Sequence, residues 1–391
     1  MAKEKPSISD FTLLGSIGRG SFGRVELARA NETLKEYAVK VVQKSLLSQE
    51  GKKFQAMRER DLLAGCKHHP GIVSLHYSFH DESCLYFVME YCPKEDLNKL
   101  IERYARNFPY ELARIYAAQL VNILDFLRSK EIVHRDIKPH NILISSTNQL
   151  RLSDFGSAKV YNEEARERSN TYVGTANYVS PEMLEEKPVS YSADLWALGC
   201  IIYQMLVGKP PFAASSDAKI FEKIKSGIVD TPEILPPFAQ DLIQSLLLME
   251  PEMRIGAQNM EDLKQHIFFH GLDIDNIFEE PVPDLSAFIA PSKKAPNVIL
   301  EGIVKKKAGW IYKKRILKIT EEPKISYYEP TRNEHRGNIA ISSKLYAEVK
   351  GRVEFHVITP KRTYFFKDLE ETPEKWVEAV NQLVKRVYSK N

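Results

Sequence analysis

Apolar and polar residues alternate along the N-terminal part of the chain: Val25 and Leu27 are interleaved with Arg24 and Glu26, and Tyr37-Ala38-Val39-Lys40-Val41-Val42 follows as a second β-like run. A period of two sends successive side chains to opposite faces, so both stretches are expected as strands. Leu85 to Met89 is apolar throughout, which predicts a strand buried on both sides. The period then lengthens. Leu112, Ile115, Tyr116, Leu120, Ile123, Leu124 and Leu127 recur at the spacing of one helix face over residues 111–129, and Lys52 to Ala64 also has helical character. The longest apolar run, Leu195 to Val207, is interrupted by Gly199 and Gln204 and falls short of the roughly 20 residues a membrane span needs.

Pro281-Val282-Pro283, Pro291 and Lys293-Lys294-Ala295-Pro296 break regular structure and place a linker at residues 285–297, between a unit of residues 1–284 and one of residues 298–391. Beyond it come β-like segments: Val298–Val304, Trp310–Ile319, Ile325–Tyr328, Gly337–Ile341, Val353–Ile358 and Arg362–Phe366. The stretch from Thr372 to Val384 then carries apolar residues at 376, 377, 380, 383 and 384 behind Thr372-Pro373, a helix start.

Length and composition, 391 residues with 43% hydrophobic and 27% charged, suggest a soluble chain of two or three domains. The net charge of +3 conceals an asymmetry, because residues 298–391 hold 20 Lys and Arg against 12 Asp and Glu, net +8, which leaves net −5 for residues 1–297. The anionic partner is therefore expected on the C-terminal unit. Four scattered cysteines without metal-ligand spacing read as reduced thiols, and the polar stretch Met1 to Asp10 has no apolar core of a signal peptide, so the expected location is the cytoplasm.

Chemistry enters with Gly18-Arg19-Gly20-Ser21-Phe22-Gly23-Arg24-Val25. Dinucleotide-binding folds use the same G-x-G-x-x-G, but there a helix must follow, whereas here strands follow, so a glycine-rich β-hairpin is expected whose amides approach phosphates without a Cβ in the way. Further on, His134-Arg135-Asp136-Ile137-Lys138-Pro139-His140-Asn141 is followed by Asp154-Phe155-Gly156. A carboxylate, a lysine, an amide and a second carboxylate in this order match the catalytic loop and metal-binding turn of a protein kinase.

Residues 11–269 resemble the AGC group of serine/threonine protein kinases, and Val173–Glu182 and Asp194–Gln204 are similar to its phosphoinositide-dependent members. Lysine two residues after Asp136 is the serine/threonine pattern. The resemblance implies a bilobal kinase fold with ATP and Mg²⁺ as cofactors. It assigns Asp136 and Lys138 to catalysis and Asn141 and Asp154 to the metal. The nucleotide site falls to Gly18, Gly20, Gly23, Val25, Ala38, Lys40, Glu59 (chosen over Glu50), Met89, Glu90, Cys92 and Asp96. Glu182 and Arg254 are implied as a buried ion pair, and Asp194 as the brace of the catalytic loop. Thr171, with Ser169 competing, is the implied phosphorylation site, its phosphate facing Arg135, Arg58 and Lys159. Phe278 to Ser292 contains no Phe-x-x-Phe, so the small lobe is implied to offer an empty pocket to the hydrophobic motif of substrate AGC kinases, lined by Leu85 and Arg60, with Lys5, Ser78 and His80 at its rim.

Strands closed by one tryptophan-bearing helix resemble a pleckstrin-homology domain, a small β-barrel-like module, which makes the whole chain α+β. Between Lys305 and Lys318 stand seven basic residues and no acidic one. In that family such residues hold inositol phosphates, which implies Lys306, Lys313 and Arg315, with Arg336 and Arg362, as phosphoinositide ligands, and Trp310 as a tip that enters the bilayer interface. Membrane lipid rather than nucleic acid is the expected partner, with recruitment to the inner face of the plasma membrane.

Overall fold

The computed structural model describes residues 6–20, 23–47, 50–104, 108–161, 176–232, 235–283, 298–308, 311–320, 323–330, 334–370 and 372–388. Thr171, Ser169, Trp310, Lys5 and the linker 285–297 lie outside them. Two compact units divide the chain, Met1–Phe288 and Ile289–Asn391.

In the first unit, β1 (Phe11–Gly20), β2 (Gly23–Ala30), β3 (Glu36–Gln43), β4 (Leu75–His80) and β5 (Cys84–Glu90) form an antiparallel sheet in the order β1-β2-β3-β5-β4. The alternation read from β2 and β3 fixes their register, with Val25 opposite Lys40 and Gly23 opposite Val42. A Cβ on Gly23 would stand 1.9 Å from the Val41 carbonyl oxygen, so this glycine is demanded by the hairpin's own backbone. One face of the sheet packs the helix Glu50–Cys66 through Val42, Leu47, Ala56 and Phe87.

A mainly helical lobe follows, whose core runs through the helices Tyr110–Ser129 and Ser192–Val207. The apolar run from Leu195 is thus the interior helix of this lobe, and its charged first-turn residue, Asp194, is buried with it. Arg254 forks onto Glu182 at 2.7 and 2.8 Å and lies over Trp196, whose ring stacks on Phe212 at 5.3 Å. A bidentate pair at this depth persists only because both partners are fully satisfied. Two short hairpin-like pairings, β6 (Ile132–Val133) with β9 (Lys159–Val160) and β7 (Ile142–Ile144) with β8 (Leu150–Leu152), frame the loops between them.

The second unit is a seven-stranded antiparallel sheet in the order β13-β12-β11-β10-β16-β15-β14, followed by the helix Pro373–Tyr388. The strands are β10 (Val298–Ala308), β11 (Ile311–Thr320), β12 (Lys324–Glu329), β13 (Glu334–Ile339), β14 (Tyr346–Val349), β15 (Glu354–Thr359) and β16 (Arg362–Asp368). Six of these were expected as β-like segments; β14 was not, because of its four residues only Ala347 is buried, which leaves no pattern to read. Trp376 seals the core against Phe355, which in turn stacks on Phe366 at 5.2 Å.

Candidate functional site

Lys40 is carried inward by the period of β3 until only 5% of its surface is exposed. Its Nζ lies 2.5 Å from Glu59 Oε1, on the helix beneath, and 3.7 Å from Asp154 Oδ1. Burial alone would lower the ammonium's pKa, but the two carboxylates outweigh it and hold Lys40 above its ordinary value. Asp154 has φ +58°, a left-handed conformation costly for a non-glycine residue, and its side chain accepts from the Gly156 N–H at 3.4 Å. Phe155 is buried edge-on to His134 at 4.9 Å, and Gln55 donates to the Gly156 carbonyl at 2.6 Å. The helix that carries Glu59 is thereby fastened to the turn that carries Asp154.

Asp136 is held by two neighbouring side chains. Lys138 Nζ donates to both of its carboxylate oxygens at 2.9 Å, and Asn141 Nδ2 donates to Oδ2 at 2.9 Å and to its carbonyl at 2.8 Å. Upstream, the N–H groups of His134 and Arg135 donate to Asp194 at 2.8 and 2.9 Å, with Arg135 at φ +65°. Burial pushes the Asp194 carboxyl up, and the His134 ring and these two N–H groups pull it back. A buried aspartate thus holds the loop that presents Asp136.

A cavity of about 370 Å³ opens between the sheet and these loops. Gly18, Val25, Ala38, Lys40, Glu59, Met89, Glu90, Cys92, Asp96, Asn141 and Asp154 all line it, as does His140, which the sequence motifs did not single out. Asp136 and Lys138 stand on the same loop as Asn141 but are not among its lining residues. The Glu90 side chain is turned away onto Arg151 at 3.0 Å. Burial pushes the Cys92 thiol to about 12, which makes it a packing residue. Asp96 also caps the helix Leu97–Tyr104 by accepting from Lys99 N at 2.9 Å. With its amide nitrogen spent on Asp136, Asn141 keeps its oxygen for a ligand; that oxygen and the Asp154 carboxylate are the hard donors a divalent cation takes.

Arg58, Arg135 and Lys159 line a second cavity, of about 600 Å³, together with Asp61, Tyr161 and Glu252. Leu85, half-buried on β5, packs on the cluster of Val42, Leu47, Ala56 and Phe87, while Arg60 pairs with its neighbour Asp61 at 2.6 Å.

In the second unit Lys306 is only 8% exposed. Its ammonium lies 4.3 Å from the Tyr327 ring and 5.7 Å from that of Tyr364, over which Arg362 also stands at 4.9 Å. Burial, then Arg362 and Arg315, push its pKa down. Lys306 and Arg362 line a cavity of about 240 Å³, and Lys313, exposed, sits opposite Lys306 in the β10–β11 register. Arg315 and Arg336 both reach Glu329, at 3.4 and 3.3 Å. Tyr327, Tyr364 and Glu329 escaped the sequence reading, although the inward period of β12 and β16 carries the two tyrosines to the basic residues.

Comparison with known proteins follows the same division. Residues 11–269 match the model of the protein kinase domain and residues 284–389 that of the PH domain. Over 476 aligned residues the chain is 32% identical to 3-phosphoinositide-dependent protein kinase 1 of Homo sapiens, covering 99% of this chain and 85% of that protein. It is 40% identical over 291 residues to the human putative 3-phosphoinositide-dependent protein kinase 2, covering 73% of this chain and 72% of the relative. Serine/threonine-protein kinase ksg1 of Schizosaccharomyces pombe is 36% identical over 295 residues, 72% of this chain and 49% of that protein.

Proposed function

The chain belongs to the protein kinase family, as a serine/threonine kinase with a C-terminal PH domain that uses ATP and a divalent metal, and from this premise we propose what its residues do and where it acts. It transfers the γ-phosphate of ATP to activation-loop serine or threonine of other AGC kinases, at membranes that carry phosphoinositides. The observation that carries the catalytic part is Lys40 in contact with Glu59 and Asp154 at once. Lys40 grips the α- and β-phosphates, with the glycine hairpin covering them and Met89 to Cys92 receiving the adenine. Asn141 and Asp154 would hold Mg²⁺, which would supply positive charge against the phosphates. Asp136 orients the attacking hydroxyl and accepts its proton; Lys138, now on Asp136, turns to the transferred group. Phosphorylated Thr171 pairs with Arg58, Arg135 and Lys159, which already line one cavity.

Substrate kinases dock their hydrophobic motif beside Leu85 and Arg60. Lys306, Lys313, Arg315, Arg336 and Arg362 hold the inositol phosphates and recruit the protein to the inner face of the plasma membrane. Support comes from Lys306, buried without a carboxylate partner among the described residues and pressed by two arginines. The test is phosphoryl transfer to an AGC kinase substrate with and without phosphoinositide vesicles. Vesicles should stimulate the native chain and not Lys306→Ala/Arg315→Ala, and an aromatic hydrophobic-motif peptide should raise turnover. Equal response of both proteins to vesicles would refute the lipid assignment; indifference to the peptide would refute the docking assignment.

A further inference from the structure

Glu329 is the last residue of β12, the strand between β11 and β13. Ile316 pairs with Tyr328, so Arg315 and Glu329 follow each other across the strands, and Arg336 approaches from β13 on the other side. One carboxylate oxygen, Oε2, serves both arginines, at 3.4 Å from Arg315 Nη1 and 3.3 Å from Arg336 Nη2. At these lengths both contacts are longer than the roughly 2.7–2.9 Å typical of the strongest guanidinium–carboxylate bonds. Glu329 is 27% exposed and Arg315 14%, so the carboxylate is reachable by solvent while one of its partners is nearly covered.

A loosely held acid among the basic residues of an anion site has a definite consequence. Arg315 and Arg336 are paired with a carboxylate before any ligand arrives, whereas Lys306 and Arg362 lie against tyrosine rings and have no carboxylate partner among the described residues. An incoming phosphate must either displace Glu329 or bear its repulsion.

We propose that Glu329 is a built-in competitor for the anionic headgroup: it neutralises Arg315 and Arg336 in the free protein, weakens headgroup binding, and thereby demands a ligand with several clustered phosphates. This rests on the lipid reading of the PH domain given above. A carboxylate that instead aimed the arginines at the ligand would make the opposite contribution, so the sign of the effect decides.

The experiment measures binding of the full-length chain to phosphatidylcholine vesicles doped with phosphatidylinositol trisphosphate, and to the soluble inositol tetrakisphosphate headgroup, across a range of salt. Glu329→Gln keeps the shape and removes the charge. Partly exposed ion pairs are each good for roughly a factor of two to five in an equilibrium, so the variant should bind about three- to tenfold more tightly to both probes. Its affinity should also fall more steeply with salt, because Arg315, no longer paired with Glu329, recruits small anions that the ligand must expel. Glu329→Asp, one methylene shorter, should gain less, and the gain should vanish in an Arg315→Ala/Arg336→Ala background. Circular dichroism verifies folding of each variant. Unchanged or weaker binding by folded Glu329→Gln, with an unaltered salt slope, would overturn the proposal. Native protein that binds neither probe would overturn the lipid reading itself.

Discussion

Two buried lysines, Lys40 at 5% exposure and Lys306 at 8%, sit in opposite electrostatic surroundings. Lys40 has carboxylates at 2.5 and 3.7 Å, which keep it charged in spite of burial. Lys306 has tyrosine faces instead, and burial, then Arg362 and Arg315, push its pKa down. On the proposed reading, the difference separates a site that the chain completes from one that an outside anion would complete. In the first, folding brings the counter-charges and the catalytic groups together in one step. In the second, burial and two neighbouring arginines disfavour the charged lysine, and a bound anion would offset both.

Stability distinguishes the two most strongly. Lys40→Met leaves the Glu59 carboxylate buried and unpaired, which costs about 3–5 kcal/mol, and calorimetry should show a large downward shift of the kinase transition. Lys306→Met removes a repelled charge from a nearly closed site, and the transition of the PH domain should stay or rise. A comparable fall in both variants would erase the contrast. In activity, Lys40→Met should lower kcat/KM by on the order of 10²–10³, the loss that follows removal of one aligned electrostatic group, with vesicle binding unaffected. Lys306→Met should do the reverse: unchanged turnover on a soluble peptide, and phosphoinositide binding weaker by roughly tenfold, since a basic group at an anionic surface contributes about 1 kcal/mol and more where several converge. Sedimentation with vesicles measures it.

The smallest effect concerns a third buried group, His69, which is satisfied and neutral. Its Nδ1 accepts from Gly71 N at 3.0 Å and its Nε2 meets Asn122 Oδ1 at 3.0 Å, and burial pushes its pKa down. The unfolded chain takes a proton on this ring near pH 6.5, before the folded one does, so stability should fall as pH drops below about 6.5 toward the folded value. Denaturant midpoints against pH should fall less steeply for His69→Gln than for the native chain.

The kinase fold was readable from residue types because phosphoryl transfer narrows the choice at each position: a lysine in an apolar strand, a carboxylate and an amide five residues apart at Asp136 and Asn141, a second carboxylate before Phe155. Glu59 could be preferred to Glu50 from its flanking residues, and the Lys40 contact shows that it is the one that arrives. What register decides was not readable. Glu329 meets Arg315 and Arg336 only once β11, β12 and β13 are aligned, and Gly23 owes its identity to the Val41 carbonyl on the next strand. Gln55, which ties its helix to Gly156, sits 101 residues from its partner and carries no local signal. β14 buries too little to leave a period.

The most direct test of the account is phosphoryl transfer from Mg-ATP to a serine- or threonine-containing peptide by the native chain and by Asp154→Asn, with both proteins shown to be folded. The native protein should phosphorylate the peptide, and the variant should be slower by on the order of 10² or more. Equal rates, or no transfer by the folded native chain, would contradict the role given to the cleft between Lys40 and Asp154.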